Sequence, residues 1–161
     1  MRGQWAESGC AEAVVRINRT VCQNVPSNKY VTFFLARLDP ATGSLCYVNA
    51  GHNPPLLLRA DGGLERLSEG GMVLGLFDSV PYAEGSVTMK RGDVLVIYSD
   101  GVTEAWSESG AEFGEANVAR VAGENRHEAA AAIHERLLAA VDTYDCGKAA
   151  DDRTLIVLKR D

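Results

Sequence analysis

Three short segments carry acidic or polar side chains directly at the ends of apolar runs. They are Asn49-Ala50-Gly51-His52-Asn53-Pro54-Pro55, Tyr98-Ser99-Asp100-Gly101-Val102-Thr103-Glu104 and Asp151-Asp152-Arg153-Thr154. Carboxylates that converge from separate strand ends make a hard-oxygen site for Mg²⁺ or Mn²⁺. Each segment also has a plain structural reading. An Asp-Gly after a strand serves as a turn, Asp151-Asp152 as solvated loop charge, and His52 as a cap on the Gly-Pro loop. On residue type and spacing alone, this is a globular α/β domain with a candidate carboxylate metal site.

The elements that must position these residues can be read from periodicity. Val14, Ile17 and Val21 recur at helical spacing within a helix from about Cys10 to Gln23, and Pro26 follows its end. Tyr30–Leu38 and Leu45–Ala50 are apolar runs joined by Asp39-Pro40-Ala41-Thr42-Gly43. Pro40 presets its own φ and Gly43 tolerates positive φ, so the pair reads as a β-hairpin. Leu56–Arg59 and Leu64–Leu67 flank Asp61-Gly62-Gly63 and read as a second hairpin. Ser68–Tyr82 is Gly-rich and irregular. Gly85–Met89 and Val94–Ser99, with the turn Lys90–Asp93, read as a further strand pair, and Val94–Ser99 is apolar enough to be buried on both faces. The pattern turns helical after Asp100-Gly101. Asn125-x-x-Glu128 resembles a capping box ahead of the stripe Ala130, Ile133, Leu137, Val141, Tyr144. A last strand covers Thr154–Lys159. Helix, antiparallel strands, helix, strand is an α+β or layered pattern, not a βαβ series.

Composition narrows the function classes. A length of 161 residues suits one domain with its own core. The formal net charge is −6 and no Lys/Arg cluster occurs, which argues against nucleic acid as a partner. No run approaches the roughly 20 apolar residues of a membrane helix, and Met1–Asn24 has no signal-peptide core. The expectation is a cytoplasmic protein without membrane contact. None of the four cysteines forms a C-x-x-C pair or stands at zinc-finger spacing from a His. Cys10, Cys22 and Cys46 lie in apolar stretches and read as reduced structural thiols. No G-x-x-x-x-G-K phosphate loop supports nucleotide binding.

The ordered combination of motifs resembles the bacterial SpoIIE/RsbU-type serine/threonine phosphatases of the PP2C (PPM) superfamily. The resemblance rests on Thr32–Ala36 with Leu38-Asp39-Pro40 and Thr42-Gly43; on Tyr47–Pro55, its most distinctive stretch; and on Gly75-Leu76, Gly92–Leu95, Ser99–Ala105, Phe113-Gly114 and Asp151–Thr154. It runs from about Ala11 to the end. It implies a layered α-β-β-α sandwich of two antiparallel sheets, with two Mn²⁺ or Mg²⁺ ions on aspartates and a metal-activated water attacking phosphorus. By position, Asp100 and Asp151 match metal-binding aspartates. Asp152, Gly101 and Glu104 match supporting positions, and His52 and Asn53 shape the preceding loop. The implied substrate is a phosphorylated protein, such as an anti-anti-sigma-factor-like protein. The family's first strands and helix, with their Gly-Asp and Asp-x-x-Gly-x-Gly motifs, have no counterpart in Met1–Asn28, where Glu7 and Glu12 are the sole acids. The expectation is therefore a single, N-terminally truncated domain, the C-terminal two-thirds of the family's, with impaired metal binding. Uncovered sheet edges would favour a homo-oligomer. The alternative is a catalytically silent partner-binding domain or fragment.

Overall fold

The computed structural model describes residues 9–26, 28–147 and 152–161. Its contacts divide into two compact units, one built from residues 1–52 and 67–88, the other from 53–66 and 89–161.

In the first unit, helix α1 (Cys10–Asn24) lies against strands β1 (Phe33–Leu38) and β2 (Ser44–Ala50). Cys10, Val14, Val48, Ala50, Leu74 and Tyr82 form its buried core. β1 and β2 pair antiparallel, Phe33 opposite Ala50 and Leu38 opposite Leu45. Their turn forms as its residues require: Gly43 has φ 78°, and Asp39 accepts hydrogen bonds from the Ala41 N–H and the Thr42 hydroxyl. Asn18, 1% exposed, points into the core from α1. Its amide donates to the Phe77 carbonyl at 2.7 Å and accepts from the Gly75 N–H at 2.9 Å. The helix thereby fixes the loop that the sequence shows as irregular. Within that loop, β5 (Gly70–Gly71) pairs parallel with Asn49–Ala50 in an otherwise antiparallel sheet. A side chain at Gly70 would overlap the Asn49 carbonyl, so only glycine permits this approach.

The expected hairpin between Gly85–Met89 and Val94–Ser99 does not form. β6 (Gly85–Thr88) pairs with β2 in the first unit. β7 (Val94–Tyr98) belongs to the second unit, between β3 (Leu56–Leu58) and β8 (Leu155–Lys159). The cause is the Lys90–Asp93 turn. Asp93, 1% exposed, turns its carboxylate inward to accept from the N–H groups of Ala60 (2.9 Å) and Lys90 (2.8 Å) and from the Arg59 guanidinium (2.7 Å). The chain is tied to the β3–β4 turn instead of folding back on β6. Burial pushes the Asp93 carboxyl up, but these three donors outweigh it and hold the group below the usual carboxylate range.

The second unit's sheet has the order β4-β3-β7-β8, with β4 at Leu64–Arg66. Every residue of β3 is buried, as are Val94, Leu95, Val96 and Tyr98 of β7. The short α2 (Asp100–Thr103) follows β7. Helices α3 (Gly114–Glu124) and α4 (Ala130–Tyr144) supply Val118, Val121, Ile133, Leu137 and Val141 to the core around Leu56, Val96 and Phe113. The capping box does not form. Asn125 closes α3 by donating to the Val121 carbonyl, and Glu128 pairs with Arg136. Ala129 precedes α4 with no side-chain cap.

The architecture is mixed α/β with two sheets and four helices among the described residues, in line with the fold class read from the sequence. Among the described strands β1 pairs with β2 and β8 with β7, so each stands at the end of its sheet. Just ahead of β1, Val31 exchanges two backbone hydrogen bonds with Leu74. Tyr30, Val31 and Ile156 are exposed.

Candidate metal centre

The junction between β7 and α2 is built around Ser99. The β-ladder ends there with the Ser99 N–H donating to the Thr154 carbonyl at 3.0 Å. The Ser99 hydroxyl donates to the Asp152 carbonyl at 3.1 Å and accepts from the Thr154 N–H at 2.9 Å. These bonds hold the Asp152–Thr154 backbone beside the residue that precedes Asp100. Arg153 fastens the same segment from the other side, pairing with Asp142 at 2.8 Å and with Asp145 at the C-terminal end of α4. Ser99 and Arg153 are positioning residues. Both lie within the sequence motifs, and adjacency to Asp100 and Asp152 is the only sequence signal for their role.

Asp100 opens α2 and is exposed. One carboxylate oxygen accepts the Gly101 N–H at 2.9 Å, and its carbonyl accepts the Glu104 N–H at 2.7 Å and the Thr103 hydroxyl at 3.1 Å. Gly101 is buried beneath the turn. Glu104 and Asp152 are exposed. Asp151 lies outside the described residues, as does Glu7. Exposed carboxylate oxygens are the donor type that Mg²⁺ and Mn²⁺ take. Asp100, Glu104 and Asp152 do not, however, converge as a set. Among the described residues, the one group of three His, Cys, Asp or Glu donors within 4.8 Å of one another is Cys10, Cys46 and Glu84. The described donors thus fit the metals in kind but do not complete a shell.

Beside this turn, Asn53, Pro54, Tyr98, Thr103, Glu112 and Glu115 line a cleft of about 230 Å³. Burial, with the Glu115 carboxylate beside it, pushes the Tyr98 phenol above its ordinary value. Tyr98 therefore stays a donor, to the Pro54 carbonyl and to Glu115, each at 3.3 Å. Arg66 holds the other Glu115 oxygen at 2.7 Å.

In the first unit, Asn49 shapes the Asn-Ala-Gly-His turn. It is buried, donates to the Leu67 carbonyl at 3.2 Å and accepts the His52 N–H at 2.8 Å. Gly51 turns with φ 75°. His52 enters this network through its backbone, which fits a part in shaping the loop. Asn49, quoted in the motif but given no role from sequence, is the side chain that organises it.

The family model for Stage II sporulation protein E (SpoIIE) matches residues 4–161. The chain belongs to the SpoIIE family. Phosphoserine phosphatase RsbU of Bacillus subtilis is 32% identical over 101 residues, which are 62% of this chain and 30% of RsbU. The crystal structure of the RsbU and RsbW domains of a Mycobacterium tuberculosis protein superimposes with a TM-score of 0.74 at 26% identity, covering 96% of this chain and 43% of that one. The Mn-presoaked phosphatase domain of Bacillus subtilis SpoIIE superimposes at 0.68 with 21% identity, covering 97% and 68%. The fold is that of the PP2C-type phosphatase domains. As a SpoIIE-family member, the chain spans less than a third of RsbU and less than half of the mycobacterial protein. Among the described residues no helix is long and apolar enough to cross a membrane.

Proposed function

We propose that this chain supplies the Asp100 and Asp151 segments of a metal-dependent protein serine/threonine phosphatase centre, with Mn²⁺ or Mg²⁺ as cofactor. The observation that carries the reading is the Ser99 junction, which binds the Asp152–Thr154 backbone to the end of the strand that delivers Asp100. When bound, such ions lower the pKa of a coordinated water and neutralise phosphoryl charge. The chain's own contribution is positional. Ser99 and Arg153 hold the second aspartate motif, the Gly101 N–H orients the Asp100 carboxylate, and Glu104 and Asp152 add negative potential. The substrate class implied by the family is a phosphoserine or phosphothreonine protein of the anti-anti-sigma-factor type, in cytoplasmic signalling. Tyr98, Asn53 and Thr103 present polar groups in the adjoining cleft.

The first aspartate of the sequence is Asp39, spent on a hairpin turn. No carboxylate of Met1–Asn28 stands in an Asp-x-x-Gly-x-Gly context that could bridge two ions. We therefore expect turnover near the buffer blank from this chain with p-nitrophenyl phosphate or a phosphoserine peptide and Mn²⁺. Each ~1.4 kcal/mol of lost transition-state stabilisation is tenfold in rate. Metal-dependent turnover abolished by Asp100→Asn would show that another group completes the shell and overturn the impairment. Metal-dependent turnover that survives Asp100→Asn would overturn the assignment of Asp100. A second reading, a silent domain that binds a partner, is favoured by the edge strands β1 and β8, each paired on one side among the described strands.

A further inference from the structure

We propose that Cys10 and Cys46 form a reversible redox clamp, closed by hydroperoxides and opened by dithiols, that fastens the N-terminal end of α1 to β2. The two sulfurs are joined in the structure as a disulfide, which corrects the expectation of unpaired thiols at these positions. Cys22 and Cys146 are free. The bond lies wholly within the first unit and spans 36 positions of sequence. Glu84, just before β6, stands beside it, and its carboxylate accepts the Ala11 N–H at 3.2 Å in the first turn of α1.

Three features suit the pair to exchange. Cys10 is the first residue of α1, so a bond from its sulfur to β2 fixes the start of the helix. Cys46 is half-buried, so a small oxidant or reductant reaches its sulfur, whereas Cys10 is 3% exposed and serves as the resolving partner. Glu84 opposes a lasting double negative charge at the cluster, which favours the uncharged disulfide over two thiolates. In the closing step the Cys46 thiolate attacks a peroxide oxygen, breaks the O–O bond and becomes a sulfenic acid. The Cys10 thiolate then attacks the Cys46 sulfur and expels hydroxide. Two thiols lose two electrons and two protons in all, and hydrogen peroxide becomes two waters. A dithiol reverses the exchange through a mixed disulfide.

The consequence is local. Farther along α1, Asn18 is hydrogen-bonded to Phe77 and Gly75, independent of the sulfurs. Reduction therefore loosens the first turns and leaves the helix docked from Asn18 onward. Cys46 lies three residues before Asn49, so the clamp acts on the strand that leads into the Asn49–His52 turn.

The test treats the purified chain with dithiothreitol or with stoichiometric hydrogen peroxide, then blocks thiols with N-ethylmaleimide before peptide mass spectrometry. Peroxide should yield a Cys10–Cys46 cross-linked peptide with Cys22 and Cys146 alkylated, and dithiothreitol should reverse it. The same cross-link should form in a Cys22→Ser/Cys146→Ser chain and in Glu84→Gln. Closing the clamp should raise the melting temperature by about 5–10 °C. It should also slow amide exchange at Val14–Ile17 but not at Asn18–Asn24. Alkylation of both Cys10 and Cys46 after peroxide would overturn the proposal, as would a cross-link to Cys22, Cys146 or another chain. Protection of both thiols by Zn²⁺ under reducing conditions, lost in Glu84→Gln, with no peroxide cross-link, would overturn it in favour of a metal site.

Discussion

Replacing Asp93 with Asn tests whether one buried carboxylate sets the path of the chain between β6 and β7. The substitution keeps the shape and removes the charge. Asp93 satisfies three donors with two oxygens: the Ala60 N–H on one, the Lys90 N–H and the Arg59 guanidinium on the other. An Asn oxygen can serve one side only. Its NH₂ group must then face either the Ala60 N–H or the Lys90–Arg59 pair. A buried donor left unsatisfied costs about 1–3 kcal/mol, and losing a charged hydrogen-bond partner adds roughly 1.5–3 kcal/mol. The expected loss is about 3–5 kcal/mol, in line with breaking a buried ion pair. With a urea slope of ~2 kcal/mol per M, the midpoint should fall by about 1.5–2.5 M. Trp106, in the same unit as Asp93, reports the transition by fluorescence in a Trp5→Phe background. The pH dependence supplies a second check. Because the folded Asp93 carboxyl titrates below its unfolded value, its stabilisation is fully present above the unfolded pKa near ~4 and is lost as pH falls through the folded value. The gap between parent and variant should therefore narrow as pH falls below about 4. A midpoint shift under about 0.3 M at pH 7, or a gap unchanged down to about pH 2, would refute the reasoning.

Asn18→Ala should destabilise the first unit by about 2–4 kcal/mol, because the Phe77 carbonyl and the Gly75 N–H lose their partner; chemical denaturation measures it. Ser99→Ala removes the bonds to Asp152 and Thr154 at a half-buried site, so global stability should drop by only about 1 kcal/mol while amide exchange at Thr154 speeds up. The chain should form dimers or higher oligomers through β1 or β8, visible as a rising mass in light scattering across a dilution series. A monomer at high concentration would show that the chain covers these edges itself.

Local pattern revealed much of the fold. The hairpin from Phe33 to Ala50 forms with its predicted turn, because Asp39, Pro40 and Gly43 act within their own few residues. Helix α4 follows its apolar stripe. What local pattern could not show is partner choice. Gly85–Thr88 has the appearance of half a hairpin with Val94–Tyr98 but pairs with β2, because the decision lies in contacts of Asp93 with Ala60 and Arg59 more than thirty residues away. Asn18 stands four residues after Val14, on the buried face of α1. Its polarity groups it with Arg16 and Arg19, and its inward place shows only in its bonds to Phe77 and Gly75. At the candidate site, Asp100 and Glu104 follow β7 and Asp152 precedes β8, as their place in the sequence motifs shows, whereas the fastening of the Asp152–Thr154 segment by Ser99 and Arg153 is a tertiary property. The Cys10–Cys46 pairing had no sequence signal beyond the presence of two cysteines, since their 36-residue separation follows from how α1 lies on β2.

The central claim is that the Asp100 turn and the Asp151–Thr154 segment form one divalent-metal locus. Paramagnetic broadening of assigned amide resonances by sub-stoichiometric Mn²⁺ tests it most directly, because it reports location without requiring turnover. Selective broadening is expected at residues 99–104 and 151–154, competed by Mg²⁺ and abolished by Asp100→Asn. Broadening centred elsewhere, or broadening at these residues that persists unchanged in Asp100→Asn, would contradict it.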